Sequence, residues 1–278
     1  MEFLENYTIL ETLGKGASGV FYSARDIYGQ NVGIKVTTGR KIEQSLLEAE
    51  ILENLTNSPA YEYVSHYYEQ FFVDDSLYVV IELIDGITLS EFIKNGDGKY
   101  HTGILWPIYT QLILGLKAIH EQGVAHRDIK PENIMITPDY KVKFLDFGLA
   151  CTELSGCNGI AGTPYYQPPE VLENKHEHTL QAAQLHDIWS LSLVLYNLAN
   201  NRLPFIENDF DMHIRQFKLI MSDFKNSEVI SNYNMDDGRT NIFLNAIIEP
   251  DVYERVNIDQ LHNLFCDIIL KPPFIPNH

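Results

Sequence analysis

The spacing of apolar residues changes once along this chain, near Thr88, and that change limits the folds open to it. Before it, short β-type runs such as "GVFYSAR" and "SLYVVIEL" alternate with turn signals, and one segment, 42–55, shows helical three-to-four spacing. After it, helical patterns dominate, among them "GILWPIYTQLILGLKAIHEQ" (103–122), "LHDIWSLSLVLYNLAN" (185–200) and "DMHIRQFKLIMSDF" (211–224). We therefore predict a single α+β domain over 1–278, with a small β-rich lobe containing one main helix (about 1–84), a joint (about 82–87), a larger, mostly helical lobe (about 88–270) and a short tail (271–278).

The charge balance excludes several classes of partner. The 278 residues carry a formal net charge of -18, which repels nucleic acid and anionic membrane surfaces and leaves basic partners as the natural complement. No apolar stretch approaches the ~20 residues that cross a bilayer. Three cysteines without metal-ligand spacing fit a reducing compartment better than a disulfide framework. We expect an intracellular protein, cytoplasmic or nuclear, with no nucleic-acid partner and no membrane segment.

Two features near the start could hold a phosphate. The run "LGKGASGV" places Gly14, Gly16 and Gly19 between two strand-like segments, where glycines let backbone N–H groups approach phosphates closely. A glycine-rich hairpin turn explains the same spacing equally well. Lys35, in "VGIK", either reaches a ligand or extends along a strand edge to water.

The second half of the chain carries a more specific pattern. The run "HRDIKPEN" covers His126 to Asn133, and "DFG" follows from Asp146. Phosphoryl transfer needs a carboxylate to orient the attacking hydroxyl, oxygen ligands for magnesium and a lysine for the phosphates. Asp128, Asn133, Asp146 and Lys35 supply these groups. A solvated charge cluster in a loop is the alternative, and it leaves the order of so many chemical groups unexplained.

These motifs resemble those of the eukaryotic-type serine/threonine protein kinases, and they follow the order of that family from about Tyr7 to Leu270. The resemblance implies a two-lobed fold with ATP in the cleft, a requirement for Mg²⁺ and transfer of the γ-phosphoryl group to protein hydroxyls. Lys130, two residues after Asp128, is what the serine/threonine members of the family show.

The resemblance also implies a role for each matching residue. Asp128 would accept the proton of the substrate hydroxyl, Lys130 would steady the transferring phosphate, and Lys35 would contact the α- and β-phosphates. Glu48 would pair with Lys35, with Glu50 as the alternative. The other implied positions are the ATP-pocket residues Gly14, Gly16, Gly19, Phe21, Gly33, Ile81, Glu82, Ile84 and Met135, the magnesium ligands Asn133 and Asp146, and the structural residues Arg127, Asp187 and Glu170 with its partner Arg255.

Two positions depart from the family at the adenine site. The family usually has Val and Ala where this chain has Phe21 and Gly33. We hypothesise that Phe21 fills the room that Gly33 leaves, since cores tolerate exchanges that conserve total volume. The alternative is that Phe21 turns away and the purine is held loosely.

The segment from Asp146 to Glu170 resembles an activation segment. Where many family members have a phosphorylated Ser or Thr that meets Arg127, this chain has Gly159. We therefore predict activity without phosphorylation of the segment, with Glu153 or solvent meeting the charge of Arg127. Thr163 resembles the hydroxyl that contacts Asp128 and Lys130.

The cysteines are predicted to play no part in this segment. No Lys or Arg occurs in 149–166, so nothing in the local sequence would lower the pKa of Cys151 or Cys157 and make it reactive. Inert thiols are the favoured interpretation, and contact with Arg127 is the one route to a redox role. Cys266, in an apolar helical run, is predicted to be a core residue.

The sequence leaves alternatives open for the substrate preference and for whether the chain is catalytically active. Glu132 sits where family members that prefer basic substrates bind an arginine before the acceptor, and Glu207, Asp209 and Asp211 would add negative charge. Basic protein substrates and a merely solvated acidic surface explain this equally well. A pseudokinase that binds nucleotide weakly is the alternative function, disfavoured by the intact set of Lys35, Asp128, Asn133 and Asp146.

Overall fold

The computed structural model describes residues 6–16, 19–96, 102–204 and 238–270. Its first part is a five-stranded antiparallel sheet in the order β1-β2-β3-β5-β4, with one helix against it. The helix packs there because its three-to-four spacing brings Ala49 onto Leu77 and Val79 of the sheet. The bounds are β1 Tyr7–Gly16, β2 Gly19–Asp26, β3 Asn31–Thr38, α1 Ile42–Thr56, β4 Tyr67–Val73 and β5 Ser76–Glu82.

The second part is mostly helical, and its short strands surround the motif residues. A capping box between Thr88 and Glu91 starts its first helix. Two small sheets, β6-β8-β9 and β10-β7, lie beside the helices. The bounds are β6 Ile87–Thr88, α2 Leu89–Asn95, α3 Thr102–Glu121, β7 Val124–Ala125, β8 Ile134–Ile136, β9 Val142–Phe144, β10 Cys151–Thr152, α4 Pro169–Leu172, α5 Leu180–Asn200, α6 Arg239–Ile247, α7 Ile258–Phe265 and a π-helical turn Cys266–Leu270.

The predicted α+β architecture is confirmed, and the differences are local. Helix α5 begins at Leu180, ahead of the predicted start near 185, because the Thr179 side chain accepts a hydrogen bond from the backbone of Ala182 and caps it. Helix α6 has no counterpart in the sequence-based prediction. Cys266 is half-buried and not a core residue. The predicted helix at 211–224, the tail 271–278 and the acidic residues Glu207, Asp209 and Asp211 lie outside the described residues.

The core of the larger lobe forms around α5 and α3. Trp189, Leu191 and Val194 of α5 are almost completely buried. Tyr109 of α3 is also inaccessible and donates its hydroxyl hydrogen to the carbonyl of Leu195 at 2.5 Å. The structure shows no described helix that is long and apolar enough to span a bilayer.

A buried ion pair ties α4 to the chain before α7. Arg255 has a fully inaccessible side chain and makes a two-pronged contact with Glu170, with Nη1 donating to Oε1 at 2.7 Å and Nη2 to Oε2 at 3.0 Å. The Arg255 guanidinium also donates to the carbonyls of Glu249 and Leu185 and lies over the ring of Trp189. The pair predicted from the sequence is thus in contact, and its remaining donors are satisfied by the backbone.

Removing one partner of this pair should destabilise the protein strongly. In Arg255→Ala the carboxylate of Glu170 loses both hydrogen bonds, and breaking a buried pair on one side costs about 3 kcal/mol or more. We expect the free energy of unfolding, measured by denaturant titration, to fall by about that amount. Lys175→Ala is the control, because Lys175 pairs with Glu173 at the surface and an exposed pair contributes less than about 1 kcal/mol. Equal losses in the two variants would contradict the structural role of Arg255.

Candidate active site

A cavity of about 1260 Å³ lies between the sheet and the helical part. It is closed on one side by the connection 83–86 and on the other by the residues that follow β9. The residues predicted for the ATP pocket are found along its walls, with Gly33 as the exception discussed below. Those that line it are Gly14, Gly16, Gly19, Phe21, Lys35, Glu48, Ile81, Glu82, Ile84, Asn133, Met135 and Asp146, together with Glu132.

Gly14 and Gly16 lie at the end of β1 and Gly19 begins β2, so the three glycines flank the connection between these strands. Gly16 and Gly19 are paired across the two strands. A Cβ atom at Gly14 or Gly16 would meet no other atom within 4 Å, whereas one at Gly19 would lie 2.3 Å from the carbonyl oxygen of Val36. Gly19 is therefore required by the close approach of β3, and the other two leave open room along the cavity, which suits a phosphate group.

Lys35 and Glu48 meet inside the cavity. The Nζ atom of Lys35 donates to Oε2 of Glu48 at 2.6 Å, and both side chains are mostly buried. The structure thus pairs Lys35 with Glu48, the preferred of the two glutamates. Burial raises the pKa of Glu48, and the positive charge of Lys35 opposes that rise. The pair ties α1 to β3 and fixes the lysine at the cavity wall.

Asp128 is held by three neighbours below the cavity. Its Oδ1 accepts from the backbone and the hydroxyl of Thr163, both at 2.8 Å, and its Oδ2 accepts from Lys130 at 2.8 Å and from Asn133 at 2.9 Å. Lys130 also donates to the hydroxyl of Thr163 at 2.7 Å. Burial favours the neutral acid, but the hydrogen bonds from Lys130 and Thr163 outweigh it and leave the pKa of Asp128 below its ordinary value.

Asn133 and Asp146 offer the oxygen atoms that a magnesium ion prefers. The amide nitrogen of Asn133 is used by Asp128, so the amide oxygen is the atom left for a metal. Asp146 is exposed to the cavity and accepts one hydrogen bond, at 3.3 Å, from the backbone of Gly148. One amide and one carboxylate oxygen fit Mg²⁺, which keeps several waters and takes its other ligands from phosphates. No cluster of three or more His, Cys, Asp or Glu side chains with metal-binding geometry occurs in the described ranges.

Asp187 of α5 fixes the backbone at the start of the segment 126–133, which resembles the catalytic loop of the family. Its carboxylate is fully buried and accepts from the backbone N–H groups of His126 and Arg127, each at 2.7 Å. His120 contacts the same carboxylate at 2.9 Å. Although burial opposes ionisation, the His120 contact and nearby positive charge lower the pKa of Asp187 overall. The family resemblance implied a structural role for Asp187, but the sequence gave no signal for His120, which lies 67 positions from Asp187.

Sequence reasoning also missed a polar cluster behind the connection between the two parts. Lys143 of β9 is buried and donates to the carbonyl of Val64 at 3.0 Å and to Glu82 Oε2 at 3.3 Å. The backbone of His66 donates to the same carboxylate oxygen at 3.2 Å. Glu82, predicted for its backbone groups, thus also uses its side chain to fix the start of the connection. No local pattern could reveal Lys143, because Val64 and Glu82 lie 79 and 61 positions away in the sequence.

Phe21 covers the space that Gly33 leaves. The register of β2 and β3 opposes Ser23 to Gly33, so Phe21 is a diagonal neighbour of Gly33 on the same face. A Cβ atom added at Gly33 would lie 2.4 Å from Cζ of Phe21 and 3.4 Å from Ile81. This geometry matches the volume-compensation hypothesis. Gly33, assigned to the ATP pocket, is not among the residues that line the cavity, whereas its neighbour Phe21 is.

Arg127 finds its partners in the backbone of the activation segment. Its Nε donates to the carbonyl of Leu149 at 2.7 Å and its Nη1 to that of Asn158 at 2.9 Å. The partners that the structure shows for the Arg127 guanidinium are thus carbonyl oxygens and not the carboxylate of Glu153. Gly159, at the position of the usual phosphorylated hydroxyl, has φ +75°, a left-handed conformation that favours glycine.

The two cysteines of this segment are joined by a disulfide, with their Cα atoms 5.3 Å apart. The prediction of inert thiols was thus wrong. Both residues are almost completely buried, in a small apolar cluster with Ala125 and Ala183. They meet because β10, which contains Cys151, pairs with β7 while the chain turns back through Gly156, whose φ is +74°. Cys266 is the free cysteine of the described residues.

Comparison with known proteins agrees with this geometry. A family model described as "Protein kinase domain" matches residues 7–265. Human serine/threonine-protein kinase Nek10 is 30% identical over 98% of this chain and 24% of its own length. Zebrafish (Danio rerio) maternal embryonic leucine zipper kinase is 28% identical over 94% of this chain and 37% of its own, and serine/threonine-protein kinase cds1 of Schizosaccharomyces pombe is 36% identical over 72% and 46%.

The chain belongs to the protein kinase family. It spans less than half the length of each of these three relatives. The resemblance read from the motifs, and the fold it implied, are thereby confirmed.

Restoring a side chain at Gly33 should weaken ATP binding. In Gly33→Ala the new methyl group displaces the Phe21 ring into the cavity, and overpacking of this kind costs about 1–3 kcal/mol. We expect the dissociation constant of ATP to rise about tenfold, which corresponds to about 1.4 kcal/mol.

The double variant Phe21→Val/Gly33→Ala is the matched control, because valine removes the ring that the new methyl group would displace, so ATP affinity should be restored. Both variants and the unaltered protein are compared by calorimetric titration with ATP and Mg²⁺. An unchanged affinity in Gly33→Ala would disprove the compensation.

Proposed function

We propose that this chain is an ATP- and Mg²⁺-dependent kinase that transfers the γ-phosphoryl group of ATP to serine and threonine hydroxyls of proteins. One observation carries the proposal. Asn133 lines the cavity that holds the Lys35–Glu48 pair and Asp146, and it also donates to Asp128. The groups for binding phosphates, for holding a metal and for accepting a proton thus adjoin one another.

The geometry supports a direct role for Asp128 at the acceptor hydroxyl. Its lowered pKa keeps the carboxylate ionised near neutral pH, so that it can orient the hydroxyl and take up its proton. Thr163 and Lys130 hold the carboxylate in one orientation, and positioning of this kind is the main contribution that proteins make to phosphoryl transfer. The ammonium of Lys130 lies beside the same carboxylate, where it can stabilise negative charge on the transferring group.

The ATP side of the reaction relies on the cavity wall. Lys35, fixed by Glu48, presents its positive charge to the phosphates, and the glycine turn supplies backbone N–H donors. Mg²⁺ held by Asn133 and Asp146 would neutralise charge on the phosphate oxygens. The walls at Ile81, Ile84 and Met135 suit the flat apolar adenine ring.

The proposal includes activity without phosphorylation of the activation segment. It is supported by the two carbonyl oxygens that bind the Arg127 guanidinium and by the glycine at position 159. We also propose an intracellular location, in the cytoplasm or nucleus, where ATP is abundant. The predicted lobe boundaries, with the joint at 82–87, are part of the same proposal.

Transfer of labelled phosphate tests the proposal directly. The protein is incubated with radiolabelled ATP, Mg²⁺ and a generic basic protein, followed by mapping of phosphorylated residues in both. We expect Asp146→Asn and Asp128→Asn to lower the rate about a hundredfold or more, as loss of a metal ligand or proton acceptor does.

Asp139→Asn serves as the control, because Asp139 pairs with Lys141 at the surface, away from the cavity. Titration with ATP distinguishes the pseudokinase alternative. Nucleotide binding without any phosphate transfer by the unaltered protein would establish a pseudokinase and refute the proposed activity. A stoichiometric phosphate at Ser155 that is required for transfer would refute the phosphorylation-independent mechanism.

A second cavity of about 470 Å³ adjoins the first and is lined by Lys130, Thr163, Glu132, Lys94 and Arg202. We assign this cavity as the groove for the protein substrate, and its charges support a limited preference for basic residues. Glu132 belongs to both cavities. We propose that it binds one arginine that precedes the acceptor, while Lys94 and Arg202 disfavour further positive charge.

An arrayed-peptide assay tests this preference. We expect peptides with one arginine before the acceptor to be phosphorylated about two- to fivefold faster than alanine analogues, the range of an exposed ion pair. Glu132→Gln should abolish the difference, whereas Glu153→Gln, an exposed carboxylate outside the groove, should preserve it. Equal arginine preference in Glu132→Gln would exclude Glu132 as the determinant.

A further inference from the structure

We propose that Cys151 and Cys157 are a reversible redox site that controls the activation segment, and that the disulfide form is the more active one. The effect on rate rests on the kinase activity proposed above. The chemistry of the two cysteines and its effect on the segment do not.

The disulfide closes the same loop that Arg127 bridges. It joins residues 151 and 157. The guanidinium of Arg127 joins Leu149, two residues before Cys151, to Asn158, the residue after Cys157. A covalent link removes conformational freedom from the chain it closes. With the disulfide formed, the Asn158 carbonyl is therefore held close to Arg127, and with the disulfide broken its position costs additional entropy.

The loop inside the disulfide is organised by its own hydrogen bonds. The backbone of Thr152 donates to Oγ of Ser155 at 2.9 Å, and the backbone of Ser155 donates to Oγ1 of Thr152 at 3.1 Å. The Gly156 amide donates to the carbonyl of Thr152 at 3.0 Å. This turn presents Glu153 and Leu154 to solvent. Because both cysteines are almost completely buried, reduction requires this exposed turn to open.

The segment beyond the disulfide leads directly to the proton acceptor. Gly162, with φ +99°, passes so close to the catalytic loop that a Cβ atom there would lie 2.4 Å from the carbonyl oxygen of Arg127. The next residue, Thr163, donates to Asp128 through its backbone and its hydroxyl. A change in how firmly residues 157–162 are held in place therefore affects the contacts of Asp128 only a few residues further on, without any phosphate.

The redox step is an ordinary thiol–disulfide exchange with a dithiol reductant. One thiolate of the dithiol attacks a sulfur of the disulfide, and the other protein sulfur leaves as a thiolate and takes up a proton. The second thiol of the reductant then displaces the first protein sulfur, which leaves two protein thiols and the cyclic disulfide of the reductant. Oxidation by a small disulfide reverses the sequence. Disulfides in reducing compartments are usually transient and sensory, which fits the proposed intracellular location.

Thiol trapping of the full chain tests the redox site without any assay of activity. The protein is equilibrated in buffers of oxidised or reduced dithiothreitol, treated with an alkylating reagent and analysed by peptide mass spectrometry. We expect Cys151 and Cys157 to be alkylated only after reduction, to be protected again after reoxidation, and Cys266 to react in both states. Alkylation of all three in the oxidised buffer would overturn the proposal.

Hydrogen exchange tests the effect on the segment. We expect the backbone amides of 157–163 to exchange at least about tenfold faster after reduction. This factor is a modest part of the stabilisation that one disulfide provides. The helix α5 serves as an internal reference and should not change. Identical exchange of 157–163 in the two redox states would show that the disulfide does not order the segment, and would overturn the proposal.

Variants connect the redox state to rate. We expect reduction of the unaltered protein to lower phosphate transfer about tenfold, the scale expected from the entropy that the disulfide removes. Cys151→Ala/Cys157→Ala should be slow in both buffers, because it cannot form the disulfide. Alanine leaves no buried polar group unpaired, so this variant should still fold. Cys266→Ala should behave like the unaltered protein. Equal rates in the two buffers would refute control by the disulfide. If neither form transfers phosphate, the kinase proposal fails, while trapping and exchange still decide the redox site.

Discussion

The buried carboxylate of Asp187 is the interaction on which the arrangement of the site depends. It binds two successive backbone N–H groups, those of His126 and Arg127. Arg127 adopts φ +62°, a conformation that costs free energy for any residue with a side chain. The hydrogen bonds that these N–H groups donate to the Asp187 carboxylate offset that cost. Because the backbone of Arg127 is held this way, the neighbouring Asp128 faces Thr163, and the guanidinium of Arg127 reaches the activation segment.

The site is therefore built from long-range polar contacts laid over an apolar scaffold. Helix α5 contributes the carboxylate, and its fully buried neighbours Trp189 and Val194 fix the helix itself. The sheet contributes Lys35 through β3, and α1 contributes Glu48. Lys143 fastens the connection between the two parts. Lys35 and Glu48 are 13 residues apart, whereas the Asp187 and Lys143 contacts join residues 60 or 61 positions apart, so the geometry of the cavity depends on the complete fold.

The motifs predicted Lys35, Asn133 and Asp146, which line the cavity. They could do so because these residue types, in this order along a chain, have few functions other than phosphoryl transfer. Glu48 was preferred to Glu50 because "LEAEIL" resembles the family pattern, and its Oε2 lies 2.6 Å from Nζ of Lys35. Other contacts left no local signal. The partners of Arg127 are carbonyl oxygens, which every residue possesses. The disulfide depends on a Cα separation of 5.3 Å, and a spacing of six residues is compatible with many separations. Lys143 left no local signal either, because Val64 and Glu82 are 79 and 61 positions away in the sequence.

The contact between Phe21 and Gly33 has a consequence for how this pocket could have arisen by single substitutions. Starting from valine and alanine, an early change to phenylalanine would force the ring against the alanine methyl group, since only a glycine leaves it room. A change of alanine to glycine first would merely open a small gap, which the larger ring could later fill. The two substitutions are thus strongly non-additive. One order of mutation passes through a functional pocket, and the other passes through an obstructed one.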